Sequence, residues 1–172
     1  MADAASMVIS GSFLPQEIQK KFLGGAYEYT PADGTESWYY KLTDITTGSL
    51  DLIIAGHSYM QFGSTAQGRD ADEAMPLTAD ADIVKFLYIK HTGYEDDGTT
   101  ANTADSIYLC TDASAAAHNN AVCVEIGPNE TWFAKLNCPL TSLHVIAAQK
   151  AKGGGVANKV QAVVAAIIDD VA

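Results

Sequence analysis

From residue 83 onward, apolar positions recur in short runs separated by turn-forming residues. The runs are 83–90 (IVKFLYIK), 106–111 (SIYLCT), 121–126 (AVCVEI), 131–136 (TWFAKL), 143–149 (LHVIAAQ) and 159–168 (KVQAVVAAII). Each is rich in Val, Ile, Tyr, Phe or Trp, which suit a pleated, half-buried strand better than a helix. In 121–126 the alternation is clean, with Val122, Val124 and Ile126 on one face and Ala121, Cys123 and Glu125 on the other. Pro128 and Asn129 occupy the second and third positions of Gly127-Pro128-Asn129-Glu130, a pattern that predicts a tight turn and a hairpin between the flanking runs. In the last run, Ala and Gln favour a helix. Val160, Val163, Val164, Ile167 and Ile168, with the Gly153-Gly154-Gly155 turn before them, favour a strand, and strand is the reading adopted.

The N-terminal part reads differently. Leu14, Ile18, Phe22 and Leu23 have helical spacing across 15–23, with Ser12 as a cap, Pro15 in the first turn and Gly24-Gly25 as a stop. Tyr27, Tyr29, Trp38, Tyr39 and Tyr40 follow as an aromatic segment. They suit core and edge-strand positions, or an arm offering large contact area at low entropic cost. Residues 50–55 and 58–62 predict two short strands, and 63–82 a long loop of Gly, Ala, Asp and Thr. The expected architecture is all-β, mainly an antiparallel sandwich of jelly-roll-like form, with a short N-terminal helix and an aromatic arm. Residues 1–65 form the accessory contact region, 66–82 a linker and 83–172 the sandwich; one continuous domain is the alternative.

Composition narrows the function. With 172 residues, 48% of them hydrophobic and 18% charged, the chain can bury a sizeable core. A net charge of −11 argues against nucleic acid, which needs a basic stripe, and against an anionic membrane surface. The start has no positive n-region or long apolar stretch, and no run approaches a membrane span, so the reading is a soluble chain not exported by the usual route.

Candidate chemistry is sparse. Cys110, Cys123 and Cys138 lack metal spacing and read as buried free thiols, with Cys110 and Cys123 candidates for neighbouring strands. His57, His91, His118 and His144 have no partner at ligand spacing, and His144 reads as a solvent-facing strand residue. The acids at Asp70, Asp72 and Glu73, at Asp80 and Asp82, and at Glu95, Asp96 and Asp97 lack the calcium-loop pattern and read as solvated loops, the last group at a strand tip. Without a nucleophile elbow or phosphate loop, the chain is expected to be no enzyme and to need no cofactor or metal.

The segments KFLYIKHTG, SIYLCTDA, VEIGPNETWFAKLN and LHVIAAQ, spanning about residues 83–150, resemble small β-sandwich proteins of tailed-bacteriophage particles, above all the capsid decoration (cement) proteins. The resemblance implies a virion protein assembled in the host cytoplasm, often trimeric, that clamps the major capsid protein lattice and has no active site. Phe13, Phe22, Trp38, Tyr39 and Tyr40 are the candidate partner contacts, chosen by elimination. A tail, neck or fibre-anchoring protein is the alternative. A carbohydrate-binding sandwich, with Trp38, Tyr39 and Tyr40 stacking on sugars, is a further one.

Overall fold

The computed structural model of the chain describes residues 5–11, 23–29, 36–53, 58–61, 75–76, 82–149 and 158–169, with side chains described over 41–53, 82–149 and 158–169. The protein is all-β, and its two antiparallel four-stranded sheets pack as a sandwich. One sheet holds β3 (Glu36–Ile45), β7 (Ile83–Glu95), β10 (Thr131–Pro139) and β12 (Val160–Asp169), in the order β10-β7-β12-β3. Two short strands, β5 (Ser58–Gln61) and β6 (Met75–Pro76), extend it beyond β3. The other holds β4 (Leu50–Asp51), β8 (Ser106–Cys110), β9 (Cys123–Ile126) and β11 (His144–Ala148), in the order β4-β11-β8-β9. A separate pair, β1 (Ala5–Gly11) and β2 (Leu23–Tyr29), is antiparallel from Ala5 opposite Tyr29 to Gly11 opposite Leu23.

The two orders run in step. Chain-adjacent strands β3 and β4, β7 and β8, β9 and β10, and β11 and β12 each place one member in each sheet, at matching positions. The core between the sheets is aliphatic. From the larger sheet come Ile45, Val84, Leu87, Ile89, Val160, Ala162, Val164, Ala166 and Ile168; from the smaller come Ile107, Leu109, Ile126, Val145 and Ala147. Each fully buried Val, Leu or Ile contributes about 1.5–3 kcal/mol relative to exposure. Leu52, Ile53, Leu140 and Leu143 close one end. There the Leu52 amide donates to the Leu143 carbonyl at 2.7 Å, and a 3-10 turn at Leu140–Ser142 carries the chain from β10 to β11.

The run at 159–168 is a strand, and a central one. β12 pairs with β3 from Val160–Ile45 to Asp169–Glu36, and with β7 on its other side. Alanines at 162, 165 and 166 leave room for larger neighbours, while β-branched Val and Ile fill both faces. β7 is longer than the 83–90 run and continues to Glu95, because His91 and Gly93 are buried inward-facing positions that do not register as hydrophobic.

The predicted hairpin at 127–130 requires correction. The turn itself forms: the Glu130 amide donates to the Gly127 carbonyl at 3.0 Å, and Asn129 has φ 65°. Yet β9 pairs with β8 and β10 with β7, so the turn is a corner between sheets. Proline at the second position and positive φ at the third define a type II turn, whose twist splays the flanking strands. Gly93, at φ 85°, lets this corner close: an added Cβ would lie 2.4 Å from Asn129 Oδ1.

The N-terminal part also differs from expectation. Of the two readings of the aromatic segment, Trp38, Tyr39 and Tyr40 take the strand one and not the arm: they stand in β3, opposite Ile167, Ala166 and Ala165. Trp and Tyr are strand-favouring residue types, and Lys41 and Asp44 interrupt the apolar run that would have marked the whole strand. Leu23, Gly24 and Gly25, read as the end and stop of a helix, open β2; the rest of that helix, with Phe13 and Phe22, lies outside the described residues. The stretch 63–82 read as a loop contains β6, and of the strand expected at 50–55 the described residues, 50–53, form β4 at Leu50–Asp51.

Candidate functional site

Three features merit description as sites. The first lies on the outside of the smaller sheet. Ile107 and Leu109 of β8 face the core, so Ser106, Tyr108 and Cys110 point the other way, and all five are buried. They are covered by a flap formed by residues 111–122. Ala116 is buried in it and donates its amide to Ser49 Oγ at 3.0 Å, while the His118 ring stands edge-on to Tyr108 at 6.5 Å. Two side chains set the flap's turns. Asp112 Oδ1 accepts from the Ser114 amide at 2.8 Å; Asn120 Oδ1 accepts from the Val122 amide at 3.1 Å, and its Nδ2 donates to the Ala115 carbonyl at 3.0 Å.

Beneath the flap, strand register assembles a polar row across the whole sheet. Asp51, His144, Cys110 and Cys123 are successive partners on β4, β11, β8 and β9. His144 is half-buried rather than solvent-facing, with Nε2 3.3 Å from Asp51 Oδ1. The row places a thiol, an imidazole and a carboxylate side by side, the groups of a nucleophilic site. The hydrogen bonding does not activate the thiol. Cys110 Sγ donates to Asp112 Oδ1 at 3.0 Å, and burial, with that bond, pushes the thiol up to about 11. Asp112 is correspondingly held below the usual carboxylate range by the bonds it accepts from Cys110 and Ser114. Tyr108 is likewise pushed up, to about 12, by burial and the Glu125 charge. At neutral pH Cys110 is a protonated, covered thiol.

The second feature is a buried polar knot where β7, the loop before β8 and the start of β12 meet. His91, Asn102 and Asp105 are almost wholly inaccessible. The Gly93 amide donates to His91 Nδ1 at 3.0 Å, which assigns the ring proton to Nε2; that atom donates to the Asp105 carbonyl at 3.2 Å. Burial lowers the His91 pKa below its ordinary 6.5, keeping the ring neutral. Asn102 Nδ2 and the Asn158 amide both donate to Asp105 Oδ2, at 2.7 and 3.2 Å. The neighbouring acids are held by local partners. Asn158 Nδ2 donates to Glu95 Oε1 at 2.6 Å, Lys159 Nζ lies 3.4 Å from Asp96, and Asp97 is pulled down to about 2 by bonds from the Thr100 hydroxyl and the Thr99 and Thr100 amides. This is a tied-off strand tip. Among the described residues no group of three or more His, Cys, Asp and Glu is placed to hold a metal ion.

The third feature is the outer face of the larger sheet, which mixes aromatic, aliphatic and basic residues and on which Phe86, Ala165 and Ile167 are buried. Register aligns Phe133, Tyr88 and Ala165 in one row, Lys135, Phe86 and Ile167 in the next, and Thr131, Lys90, Val163 and Leu42 in a third. Leu42 is 51% exposed at the β3 end of the third row. Of the predicted contact residues, Trp38 and Tyr40 register directly beside Ile167 and Ala165 of these rows, Tyr39 beside inward-facing Ala166. Phe13 and Phe22 are not among the described residues. Sequence reading did not anticipate His144 beside Cys110, with Asp51 beyond it, because only the β4-β11-β8 pairing joins them; Asp112 is a local partner, two residues along the chain.

Comparison with protein-family models, with curated proteins and with solved structures found no match for the chain.

Proposed function

We propose that the chain is a structural virion protein of a tailed bacteriophage, a capsid decoration protein that binds the major capsid protein lattice as a trimer. The observation that carries this reading is the strand order. Sheets ordered β10-β7-β12-β3 and β9-β8-β11-β4, joined by corners between matching positions, follow the eight-stranded jelly-roll plan of two Greek keys. That plan recurs in viral capsid and lectin domains. A fold hosts many functions, so this support is an analogy of architecture. The sites point the same way: Cys110 is protonated, His91 is neutral and bonded on both nitrogens, and the acids of the strand tip have local partners.

The contact in this reading is the outer face of the larger sheet around Leu42, Tyr88, Phe133 and Val163, beside the β3 positions of Trp38 and Tyr40. Many weak copies on a lattice stabilise a shell by mass action, each binding only the assembled form. The test is co-sedimentation of purified protein with mature heads lacking it. Saturation at lattice stoichiometry with a raised disruption temperature supports the reading. Binding confined to tails, or none, overturns it. Glycan-dependent binding would instead favour the lectin branch of the same architecture.

A further inference from the structure

We infer that Cys110 and Cys123 are a reversible redox pair that closes an intramolecular disulfide across the base of the flap when the chain meets a two-electron thiol oxidant such as a peroxide. The inference holds whether or not the virion reading does, since it rests only on β8, β9 and the flap between them.

Both cysteines are free, and they are direct Cα partners on antiparallel strands. Antiparallel partners alternate between hydrogen-bonded and non-hydrogen-bonded sites, the latter bringing Cα atoms to about 4.5 Å. The Cys123 amide donates to the Asn120 carbonyl at 3.1 Å and so turns away from Cys110, which marks a non-hydrogen-bonded site. That spacing falls at the close end of the range a disulfide spans, about 4.4–6.8 Å. Cys110 and Cys123 directly flank the flap residues 111–122, so the bond would tie off the flap at its base. It would also fix β9, a four-residue strand that ends the sheet order, to its partner β8. Cys138, on β10, has no cysteine opposite it; its register partner is Val84.

The chemistry divides by accessibility. Cys123 is half-buried while Cys110 is covered, so Cys123 meets the oxidant first. Its thiolate attacks one peroxide oxygen, the O–O bond breaks, and the departing hydroxide takes up the thiol proton to leave as water. The product is a sulfenic acid on Cys123. Cys110 sulfur then attacks the Cys123 sulfur, the S–O bond breaks, and hydroxide leaves. The Cys110 proton passes through Asp112, whose Oδ1 already accepts it at 3.0 Å, to that hydroxide, giving a second water. Two thiols are oxidised by two electrons and one peroxide is reduced to two waters.

The test uses the full chain, reduced and then treated with hydrogen peroxide, in the native protein and in Cys123→Ser and Cys138→Ser. The expected product has lost two hydrogens by intact mass and yields a Cys110–Cys123 crosslinked peptide, with Cys138 still alkylated after unfolding. Closing a loop of about a dozen residues should raise Tm by roughly 5–10 °C, reversed by dithiothreitol. Cys138→Ser should keep the shift and Cys123→Ser should lose it. Addition of oxygens without crosslinking, a disulfide through Cys138, covalent dimers, or an internal crosslink with unchanged Tm would overturn the inference.

Discussion

Replacing Gly93 with alanine is expected to destabilise the sandwich by about 1.5–3 kcal/mol. Two terms contribute. Gly93 has φ 85°, a left-handed conformation that costs an L-residue about 1–2 kcal/mol. The new methyl group would also sit 2.4 Å from Asn129 Oδ1 and 2.8 Å from its Cγ, forcing the corner side chain to move. Asn129 is exposed and its amide can turn aside, so this is the smaller term, about 0.5–1 kcal/mol for a side chain pushed off its rotamer. The terms separate experimentally, because Asn129 itself has positive φ and tolerates glycine there. In the double variant G93A/N129G the steric term vanishes and the φ term remains, so about 0.5–1 kcal/mol of the loss should return. Urea unfolding of the native protein, both single variants and the double variant closes the cycle, and G93A should lower Tm by roughly 5–10 °C. If G93A and G93A/N129G differ from their respective parents equally, Asn129 is not what Gly93 accommodates, and this account of the corner fails.

Two further outcomes follow from the core and the polar knot. Because burial depresses the His91 pKa, folded and unfolded chains bind protons equally above pH 6.5; as pH falls below 6.5 the unfolded state protonates first and stability drops. Urea midpoints at about pH 7.5 and about pH 5.5 should therefore show a slope from this group of at most about 1.4 kcal/mol per pH unit, and His91→Gln should flatten it despite a lower baseline. Leu109→Ala, at a fully buried core position, should cost about 2–5 kcal/mol, whereas Val122→Ala, at 46% exposure, should stay within about 0.5 kcal/mol; similar losses at both sites in thermal unfolding would contradict the placement of the core.

The strands of the sandwich were legible wherever alternation and β-branching coincide, as at 106–111, 143–149 and 159–168, because those signals are local. Partner choice was not. Nothing in 121–136 alone states that β9 and β10 lie in different sheets, although Asn129 at the third turn position carries a hint, since positive φ there belongs to a turn that splays its strands. The aromatics of β3 were legible as strand residues, but not the strand's extent to Ile45, because Lys41 and Asp44 interrupt the apolar run. β1 and β2 escaped because Gly24 and Gly25 are poor strand formers, held by pairing rather than by propensity. Of the Cys110 row only the Cys110–Cys123 pair was legible, because the two strands are close in sequence; His144 and Asp51 are brought to it by register between strands far apart in the chain. Buried His91 misled in the same way. A polar residue on an inward face reads as a break in the pattern until its two hydrogen-bond partners are known.

The central place of β12 has a consequence for how the molecule comes to exist. β3 and β7 are neighbours only through β12, and β3 meets it across more than roughly a hundred residues of intervening chain. During synthesis each strand emerges with the edge that β12 will cover unsatisfied, exposed to pairing with another nascent copy, until the alanine- and valine-rich segment arrives between them. Assembly of the larger sheet is thus a late, non-local event, slow for its size and dependent on that one segment. A ribosome that stalls shortly before residue 160 would leave two open edges and no sandwich, a species for chaperones or proteases rather than a partly working protein.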